Sequence, residues 1–357
     1  MHKRILVTGG AGFAGSRLCL ALRRHLPDTA VTAFDNLHRR GSERNLTALR
    51  AAGVCFVHGD VRLLSDLQVA AIDTDLLIEC SAEPSAQAGY SGSPDFLMAT
   101  NVGGALNCLE IARVTRCDVL FLSTSRVYPY RRLNELPFIE TETRYSFGGT
   151  CPGLTSEGIS EDFPLDGVRS LYGTTKLAAE LMLEEYAAAY GFRFIIDRFG
   201  VITGPGQMAK ADQGVIALWV AAHRYGRPLR YIGFEGKGKQ VRDFLHVDDF
   251  CDLVLDQIDA FAEYAGGRYN AGGGLRQSLS LAETTELCRS IVGHEIPIGA
   301  EAQNRAADVR IYITDNSRVS GVRGWRPKID AAQTISDIDR WLVDSGKELE
   351  NIIFGAA

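Results

Sequence analysis

A glycine-rich turn near the amino terminus constrains the fold more than any other feature of this sequence. Residues 3–26 begin with a short apolar run at 5–7, continue through Gly9, Gly12 and Gly15, and end in an apolar helical pattern. This order predicts a strand, a tight turn and a helix. The first turn of such a helix presents unpaired N–H groups and a positive dipole end, which favour a phosphate. The segment therefore predicts a nucleotide site, and the alternative is a glycine turn that binds nothing.

Short apolar runs separated by helical stretches fill the remainder of the first 200 residues. The predicted strands lie at 30–34, 54–58, 75–80, 118–122 and around Ile195. This alternation is typical of an α/β fold with a Rossmann-type, doubly wound parallel sheet, in which ligands bind beyond the carboxyl ends of the strands. We expect residues 1–200 to form this domain, with a return segment near 243–271, and residues 201–357 to form a smaller substrate domain.

Asp35 follows the second predicted strand, about 20 positions after the glycine turn. A carboxylate there can accept hydrogen bonds from an adenosine ribose and repels a 2′-phosphate, so it favours NAD over NADP. Arg39 and Arg40 are the opposing signal, because arginines can accommodate that phosphate. NAD is predicted because the carboxylate lies directly at the strand end. Asp60, after the third strand, is predicted to lie on the adenine side, or else to cap a helix.

Tyr172 and Lys176 lie four positions apart in a predicted helix, so their side chains share one face. A tyrosine with a pKa near 10 is a poor base at neutral pH, and an adjacent ammonium lowers that pKa by favouring the phenolate. An ordinary amphipathic helix is the alternative. Acid–base catalysis is favoured because the motifs follow one another in a set order: the glycine turn, then Ser/Thr after the fifth strand, then this pair.

These motifs resemble those of the extended short-chain dehydrogenase/reductases that act on nucleotide sugars, over essentially the whole chain. The matching segments are TGGAGFAG at 8–15, STSRVY at 123–128, YGTTK at 172–176, RDFLHVDD at 242–249 and NAGGG at 270–274. Within this family the chain is most similar to the group that epimerises CDP-paratose at C2. That similarity rests on DNLHRRG at 35–41, ETETRY at 140–145, DQG at 212–214 and GKGKQVRDFLH at 236–246.

The resemblance implies a role for each matching residue. Tyr172 is the implied acid/base, Thr124 holds the reacting hydroxyl, and Lys176 also holds the nicotinamide ribose. The implied NAD contacts are Gly9, Gly12, Phe13, Ala14, Asp35, Asn36, Arg40, Asp60, Val61, Ser81, Ala82, Tyr172 and Lys176. The implied substrate contacts are Thr124, Ser125, Arg126, Gln207, Arg242 and Arg305. Arg242 and Arg305 would bind diphosphate oxygens, and the alternative is that they are solvated arginines.

The implied reaction is an epimerisation of a nucleotide sugar through a transient ketone, with NAD regenerated in each cycle. The residues alone do not select C2 over C4, or cytosine over uracil or thymine. Dehydratases of this family carry an acidic pair where Ser125 and Arg126 stand, so a 4,6-dehydratase is disfavoured. The alternatives are a nucleotide-sugar 4-epimerase, a dehydrogenase of the same fold, and an NAD-binding protein without catalysis.

Composition argues against several other classes of protein. The 38 lysine and arginine residues and 44 aspartate and glutamate residues give a formal net charge of -6, which provides no general attraction for nucleic acid or anionic membranes. We find no membrane-length apolar run and no signal peptide, and predict a soluble, cytoplasmic protein. Scattered cysteines and histidines predict reduced thiols and no metal site. We also expect a homo-oligomer, a dimer or a tetramer.

The stretch between Tyr128 and Tyr172 is too long for a plain connection in a compact fold. We predict that residues 129–171 form a lid over the substrate or an oligomer contact. The alternative is a surface excursion without a role.

Overall fold

The computed structural model describes residues 2–210 and 213–355. The strands are β1 (Arg4–Thr8), β2 (Ala30–Asp35), β3 (Cys55–His58), β4 (Leu76–Glu79), β5 (Asp118–Thr124), β6 (Phe138–Glu140), β7 (Tyr145–Phe147), β8 (Phe194–Phe199), β9 (Val201–Thr203), β10 (Leu229–Ile232), β11 (Val241–His246), β12 (Arg268–Ala271), β13 (Ser278–Ser280), β14 (Ile298–Glu301) and β15 (Ile311–Tyr312).

The α-helices alternate with these strands through most of the chain. They are α1 (Phe13–His25), α2 (Asn45–Ala51), α3 (Leu64–Ala70), α4 (Asp95–Met98), α5 (Gly104–Thr115), α6 (Tyr130–Glu135), α7 (Leu171–Tyr190), α8 (Val215–Tyr225), α9 (Val247–Asp259), α10 (Phe261–Tyr264), α11 (Leu281–Val292), α12 (Ser317–Arg323), α13 (Ala331–Ser345) and α14 (Glu348–Phe354). A π-helical turn, Ala99–Gly103, joins α4 to α5.

The main sheet has seven parallel strands in the order β3-β2-β1-β4-β5-β8-β12. The strand order reverses between β1 and β4, which is where ligands bind in sheets of this kind. Helices α1 and α9 contribute to the apolar core on one face, and α5 and α7 to the core on the other. Because both faces are covered, β5 is buried along its whole length. The predicted doubly wound parallel sheet is confirmed.

The predicted end of the fifth strand differs from the structure at a place that matters for the site. The fifth strand continues to Thr124, so that the predicted catalytic threonine is its last residue. Within the return segment near 243–271, helices α9 and α10 are separated at Ala260, whose backbone angles (φ -120°, ψ 37°) are not helical.

The carboxyl-terminal half builds smaller mixed sheets beside the main one. Strand β11 pairs in parallel with β9 and β15 and antiparallel with β13, and β10 pairs in parallel with β14. Helices α8, α11 and α13 share a separate apolar core with these strands. Strand β12 returns to the edge of the main sheet beside β8. The boundaries of two domains at residue 200 stay a prediction.

Residues 129–171 contain α6, the antiparallel pair β6 and β7, and an irregular stretch that packs on the smaller sheet. The backbone N–H of Ile159 donates to the carbonyl oxygen of Ile313 at 2.8 Å. Within the described part of the chain, no helix combines the length and the apolar character needed to cross a bilayer.

Asp197, in the interior of the sheet on β8, is a fully buried carboxyl. Its Oδ1 accepts a hydrogen bond from Gln257 Nε2 of α9 at 2.8 Å. Burial raises the pKa of Asp197 from its ordinary value of 3.8 to about 7. The unfolded chain therefore releases this proton at lower pH than the folded chain, and this group makes folding less favourable as pH rises from about 4 to about 7.

We predict that Asp197→Asn stabilises the protein, because asparagine keeps the shape without the ionisable proton. At about 1.4 kcal/mol per pKa unit, the gain in unfolding free energy should be about 3 kcal/mol larger at pH 8 than at pH 5. Urea unfolding of the native protein and the variant at both pH values measures this difference in unfolding free energy. Asp344→Asn, at an exposed position, is the control. A gain that does not grow with pH would contradict the argument.

Candidate active site

A cleft of about 1010 Å³ lies at the carboxyl ends of the main-sheet strands. Its walls run from the glycine turn, past the ends of β4 and β5 and the start of α7, to β9, β10 and β11 of the smaller sheets. Pockets for a single small ligand reach about this volume, so the cleft can take a large ligand. The strand ends therefore frame a site of the size that a dinucleotide and a second ligand require.

The glycine turn brings backbone, not side chains, to the cleft. Gly9 has a positive φ of 63°, and a Cβ on Gly15 would lie 2.2 Å from the carbonyl oxygen of Gly9. Helix α1 begins at Phe13 with Gly12 as its amino-terminal cap. Gly9, Gly12, Phe13 and Ala14 all line the cleft. This arrangement offers the first N–H groups of a helix to an anion without a basic side chain.

Asp35 lines the cleft at the end of β2 and also holds the glycine turn. Its Oδ2 accepts from the N–H of Ala11 at 3.1 Å and its Oδ1 accepts from the N–H of Leu37 at 2.8 Å. Burial raises the pKa of this carboxyl, and the backbone hydrogen bonds oppose that rise. The carboxylate can still accept further hydrogen bonds, because each oxygen has two lone pairs.

The predicted adenine-side residues divide into two groups. Asn36 and Val61 line the cleft, but the structure places Asp60 outside its lining. The Asp60 carboxylate accepts from Asn36 Nδ2 at 2.9 Å and pairs with Arg62 at 2.7 Å, and the hydrogen bond from Arg62 lowers its pKa. Its alternative role as a helix cap is wrong, since α3 is capped at Leu63, and its contact with the cofactor stays a prediction. Asp60 therefore orients the side chain of Asn36 from outside the lining of the cleft.

Arg40 does not line the cleft, contrary to the prediction. Its Nη2 lies 3.5 Å from the carbonyl oxygen of Asn351 near the carboxyl terminus. The neighbouring Arg39 lines the cleft instead, and its Nη2 donates to the carbonyl oxygen of Met208 at 2.9 Å. The DNLHRRG segment alone could not indicate which of two adjacent arginines faces inward, because it lies outside regular strand and helix.

Thr124, Tyr172 and Lys176 meet in the cleft, although 47 positions separate the first two. Thr124 ends β5, and its Oγ1 accepts from the N–H of Arg126 at 3.2 Å. Ser170 caps α7 by accepting from the N–H of Gly173 at 3.0 Å, which starts the helix one residue before Tyr172.

Gly173 sets how closely α7 approaches the turn after β5. A Cβ at this position would lie 2.0 Å from the carbonyl oxygen of Arg126. The glycine inside YGTTK therefore permits the backbone contact that brings Tyr172 toward Thr124.

The pKa of Tyr172 is raised, which differs from the lowering expected beside a lysine. Burial raises it, the ammonium of Lys176 and the hydroxyl of Thr124 lower it, and Glu79 raises it again. Burial of the tyrosine outweighs the effect of the lysine, and a carboxylate that lies against the lysine adds to the rise.

That carboxylate belongs to Glu79, a residue that the sequence reading did not select. Glu79 Oε2 lies 3.1 Å from Lys176 Nζ, and each side chain is only 4% exposed. Ser81 Oγ donates to the other oxygen, Oε1, at 2.6 Å. The signal was present as an acidic residue that directly follows the apolar run at 76–78 in the segment DLLIEC.

Ser81 and Ala82 line the cleft after β4, as does Glu83. Asn101, in the π-helical turn, holds this loop through both polar atoms of its side-chain amide. Its Oδ1 accepts from the N–H of Glu83 at 2.8 Å, and its Nδ2 donates to Thr175 Oγ1 at 3.1 Å. The loop after β4 is thereby tied to α7.

Three of the predicted substrate residues are arginines that line the cleft near residues 305–309. Arg242 Nη2 donates to Asp308 Oδ1 at 2.7 Å, and Arg126 Nη1 donates to the carbonyl oxygen of Ala307 at 3.2 Å. Burial lowers the pKa of Arg242, and Asp308 opposes this shift. Together with Arg305, these guanidinium groups form a positively charged wall suited to phosphate oxygens.

The other predicted substrate residues are Ser125 and Gln207, which also line the cleft. The Gln207 amide is engaged by its own turn, since Oε1 accepts from Thr203 Oγ1 at 2.8 Å and Nε2 donates to the carbonyl oxygen of Ile202 at 3.0 Å. Asp212, at the start of the DQG segment, lies outside the described residues.

No residue from 129 to 171 belongs to the lining of this cleft, all of those positions being described. This segment therefore lies outside the cleft in this structure, and its role as a lid or as an oligomer contact stays a prediction. Over residues 2–210 and 213–355, no group of three His, Cys, Asp or Glu side chains is arranged to hold a metal ion.

Comparisons with known proteins agree with this geometry. Residues 5–272 match the model of the NAD dependent epimerase/dehydratase family. The chain is 31% identical over 347 residues to the CDP-paratose 2-epimerase of Salmonella typhi, a match that covers 95% of this chain and 98% of that protein. It is 27% identical to a putative UDP-glucose 4-epimerase of Methanocaldococcus jannaschii, over 96% of this chain and 99% of that one.

The fold is similar to the UDP-glucose 4-epimerase of Thermus thermophilus, solved in complex with NAD. The TM-score is 0.78 at 24% identity, over 95% of this chain and 98% of that chain. The family match, the parallel sheet and the cleft confirm the predicted family and its cofactor, NAD. The chain belongs to the NAD-dependent epimerase/dehydratase family of nucleotide-sugar enzymes, within the extended short-chain dehydrogenase/reductases.

Proposed function

We propose that this enzyme epimerises C2 of a CDP-hexose or CDP-dideoxyhexose. The observation that carries the proposal is a cleft in which Tyr172, Lys176 and Thr124 face a wall of arginines, with no carboxylate at positions 125 and 126. The preference for CDP and for C2 is supported by the similarity to the CDP-paratose 2-epimerase of Salmonella typhi.

The cofactor fits the residues that are present. The glycine turn leaves no room for side chains at Gly15 and exposes a helix amino terminus, and Asp35 provides a carboxylate where a 2′-phosphate would be repelled. Gly12, Phe13 and Asp35 would hold the adenosine diphosphate half, and Lys176 would hold the nicotinamide ribose. When bound, NAD supplies a reversible hydride acceptor that is regenerated within one turnover.

The protein side chains perform the proton chemistry. Tyr172 as phenolate takes the proton from the sugar hydroxyl, which lets that carbon become a ketone, and later returns the proton to the epimeric alcohol. Lys176 favours the phenolate through its charge, and the Thr124 hydroxyl hydrogen-bonds the reacting oxygen. Arg242 and Arg305 would bind the diphosphate, so that the sugar can turn over while its nucleotide stays anchored.

Elimination of water is disfavoured because Ser125 and Arg126 replace the acidic pair of dehydratases. The loop after β4, residues 80–94, carries one carboxylate, that of Glu83, whose Oε1 accepts from the N–H of Ser85 at 3.1 Å. A 4-epimerase or a dehydrogenase would use the same catalytic residues, so these two functions are outcomes of the substrate test below.

A homo-oligomer stays part of the proposal. Helices α5 and α7 pack side by side, and Leu106, Val114 and Leu181 on them are 39%, 67% and 54% exposed. Apolar side chains on two adjacent helices support a contact with another copy of the chain.

We predict that Tyr172→Phe lowers turnover by about 100-fold or more while NAD still binds, because the ring remains and only the proton carrier is lost. Single-turnover kinetics and a fluorescence titration with NAD measure the two effects. The matched control is Tyr190→Phe at the exposed end of α7. Turnover by Tyr172→Phe comparable with the native enzyme would refute the assigned role.

We predict that the protein binds NAD about tenfold or more tightly than NADP, and that Asp35→Asn narrows this difference because the repelling charge is removed. Calorimetric titration of cofactor-free protein with both nucleotides measures the ratio. Asp28→Asn, an exposed change after α1, is the control. Tighter binding of NADP by the native protein would contradict the prediction.

We predict that incubation with CDP-paratose or CDP-glucose, without added NAD, produces a new anomeric proton signal with manno-type coupling. Proton NMR detects inversion at C2 directly. No change with either sugar, followed by inversion of a UDP- or TDP-sugar, would refute the CDP assignment. Net accumulation of NADH when NAD is supplied would instead identify a dehydrogenase.

A further inference from the structure

Glu79 is the one buried carboxylate in contact with the proposed catalytic residues of the described chain. Both of its oxygens are engaged, Oε2 with Lys176 Nζ at 3.1 Å and Oε1 with the donating hydroxyl of Ser81 at 2.6 Å. A carboxylate held at both oxygens cannot turn away from its partner without breaking a hydrogen bond. Its position is therefore set by the fold.

The parallel sheet places this carboxylate beneath the lysine. Glu79 is in register with Thr8 of β1 on one side and with Phe121 of β5 on the other. The ammonium of Lys176 lies 4.2 Å from the centre of the Phe121 ring, where a cation–π attraction adds to the ion pair. The Lys176 ammonium therefore contacts side chains from two neighbouring strands, Glu79 of β4 and Phe121 of β5.

An ammonium at this depth requires a counter-charge. Burial lowers the pKa of Lys176, whereas the Glu79 carboxylate, together with Tyr172 and Cys80, raises it, so that the pKa lies above its ordinary value. The other ionisable groups that face Lys176 are Tyr172 and the thiol of Cys80, and those that face Tyr172 include Glu79 and Arg126. Among these, Glu79 alone makes a direct ion pair with the lysine.

We propose that Glu79 is a positioning residue, the buried counter-ion that keeps the Lys176 ammonium charged and fixed at the floor of the cleft. The inference deepens the proposed function and rests on it in one respect, since the charge on Lys176 serves the Tyr172 phenolate and the nicotinamide ribose. Glu79 donates nothing to substrate; its direct contact is the ion pair with Lys176, and its charge also raises the pKa of Tyr172.

The test is a direct titration of Lys176 in the Glu79→Gln variant. The chain has seven lysines, so protein labelled with ¹³C at the lysine ε-carbon gives few NMR signals, and Lys176→Met identifies the one that matters. Glutamine keeps the size of the side chain and removes its charge. We expect the Lys176 signal to titrate at a pH lower by about one unit or more in Glu79→Gln, a tenfold rise in its acid dissociation constant.

The matched control is Glu110→Gln, the same chemical change on the outer side of α5, where Glu110 pairs with Arg113. It should leave the Lys176 titration where the native protein has it. An unchanged Lys176 titration in Glu79→Gln would overturn the proposal.

A double-variant cycle covers the case in which Glu79→Gln folds poorly. Each single change, Glu79→Gln or Lys176→Met, leaves one buried charge without its partner, so the double variant should unfold at a higher urea concentration than either single variant. A double variant less stable than both would contradict the ion pair.

Activity then separates this inference from the proposed function. In an active preparation, the alkaline limb of the pH–turnover profile should move to lower pH in Glu79→Gln, because Lys176 loses its proton earlier, whereas a merely structural role would lower turnover at every pH. If the native protein epimerises no nucleotide sugar but the lysine titration still moves, the proposed function fails and the role of Glu79 stands.

Discussion

Because the seven strands of the main sheet are parallel, all of their carboxyl ends lie along one edge. Residues far apart in sequence meet there: the glycine turn after β1, Asp35 at the end of β2, Ser81 after β4 and Thr124 at the end of β5. The smaller sheets complete the opposite wall with Arg242 on β11. The cleft and every role assigned to it depend on this shared edge.

Several cations in the interior of the enzyme are paired with carboxylates. Lys176 pairs with Glu79, Arg242 with Asp308, and Arg198 with Glu180 at 2.7 Å. A buried charge without a partner is strongly unfavourable, and the carboxylate that pairs with Lys176 also raises the pKa of Tyr172. A second positive group, such as a bound nicotinamide, would lower the pKa of the tyrosine further.

Helix α7 links the catalytic chemistry to the frame. The Ser170 cap fixes where the helix begins, and Gly173 lets it pack closely against the turn after β5. The ion pair between Lys176 and Glu79 holds the helix against the main sheet. The hydrogen bond from Asn101 to Thr175 ties the same helix to the loop after β4. Small changes in any of these contacts would move Tyr172 relative to Thr124, and proton transfer is sensitive to such movements.

The amino-acid sequence by itself determined the strand–turn–helix at the start of the chain, the parallel sheet, the family and the Tyr172–Lys176 pair. These features depend on local patterns: glycines that a turn requires, apolar runs of strand length, and a four-residue helical spacing. Only the tertiary structure decided that Arg39 and not Arg40 faces the cleft, that Asp60 lies behind Asn36, and that residues 129–171 lie outside the lining of the cleft. It alone placed Glu79 beneath Lys176, because that contact joins residues 97 positions apart through strand register and burial, neither of which a local pattern contains.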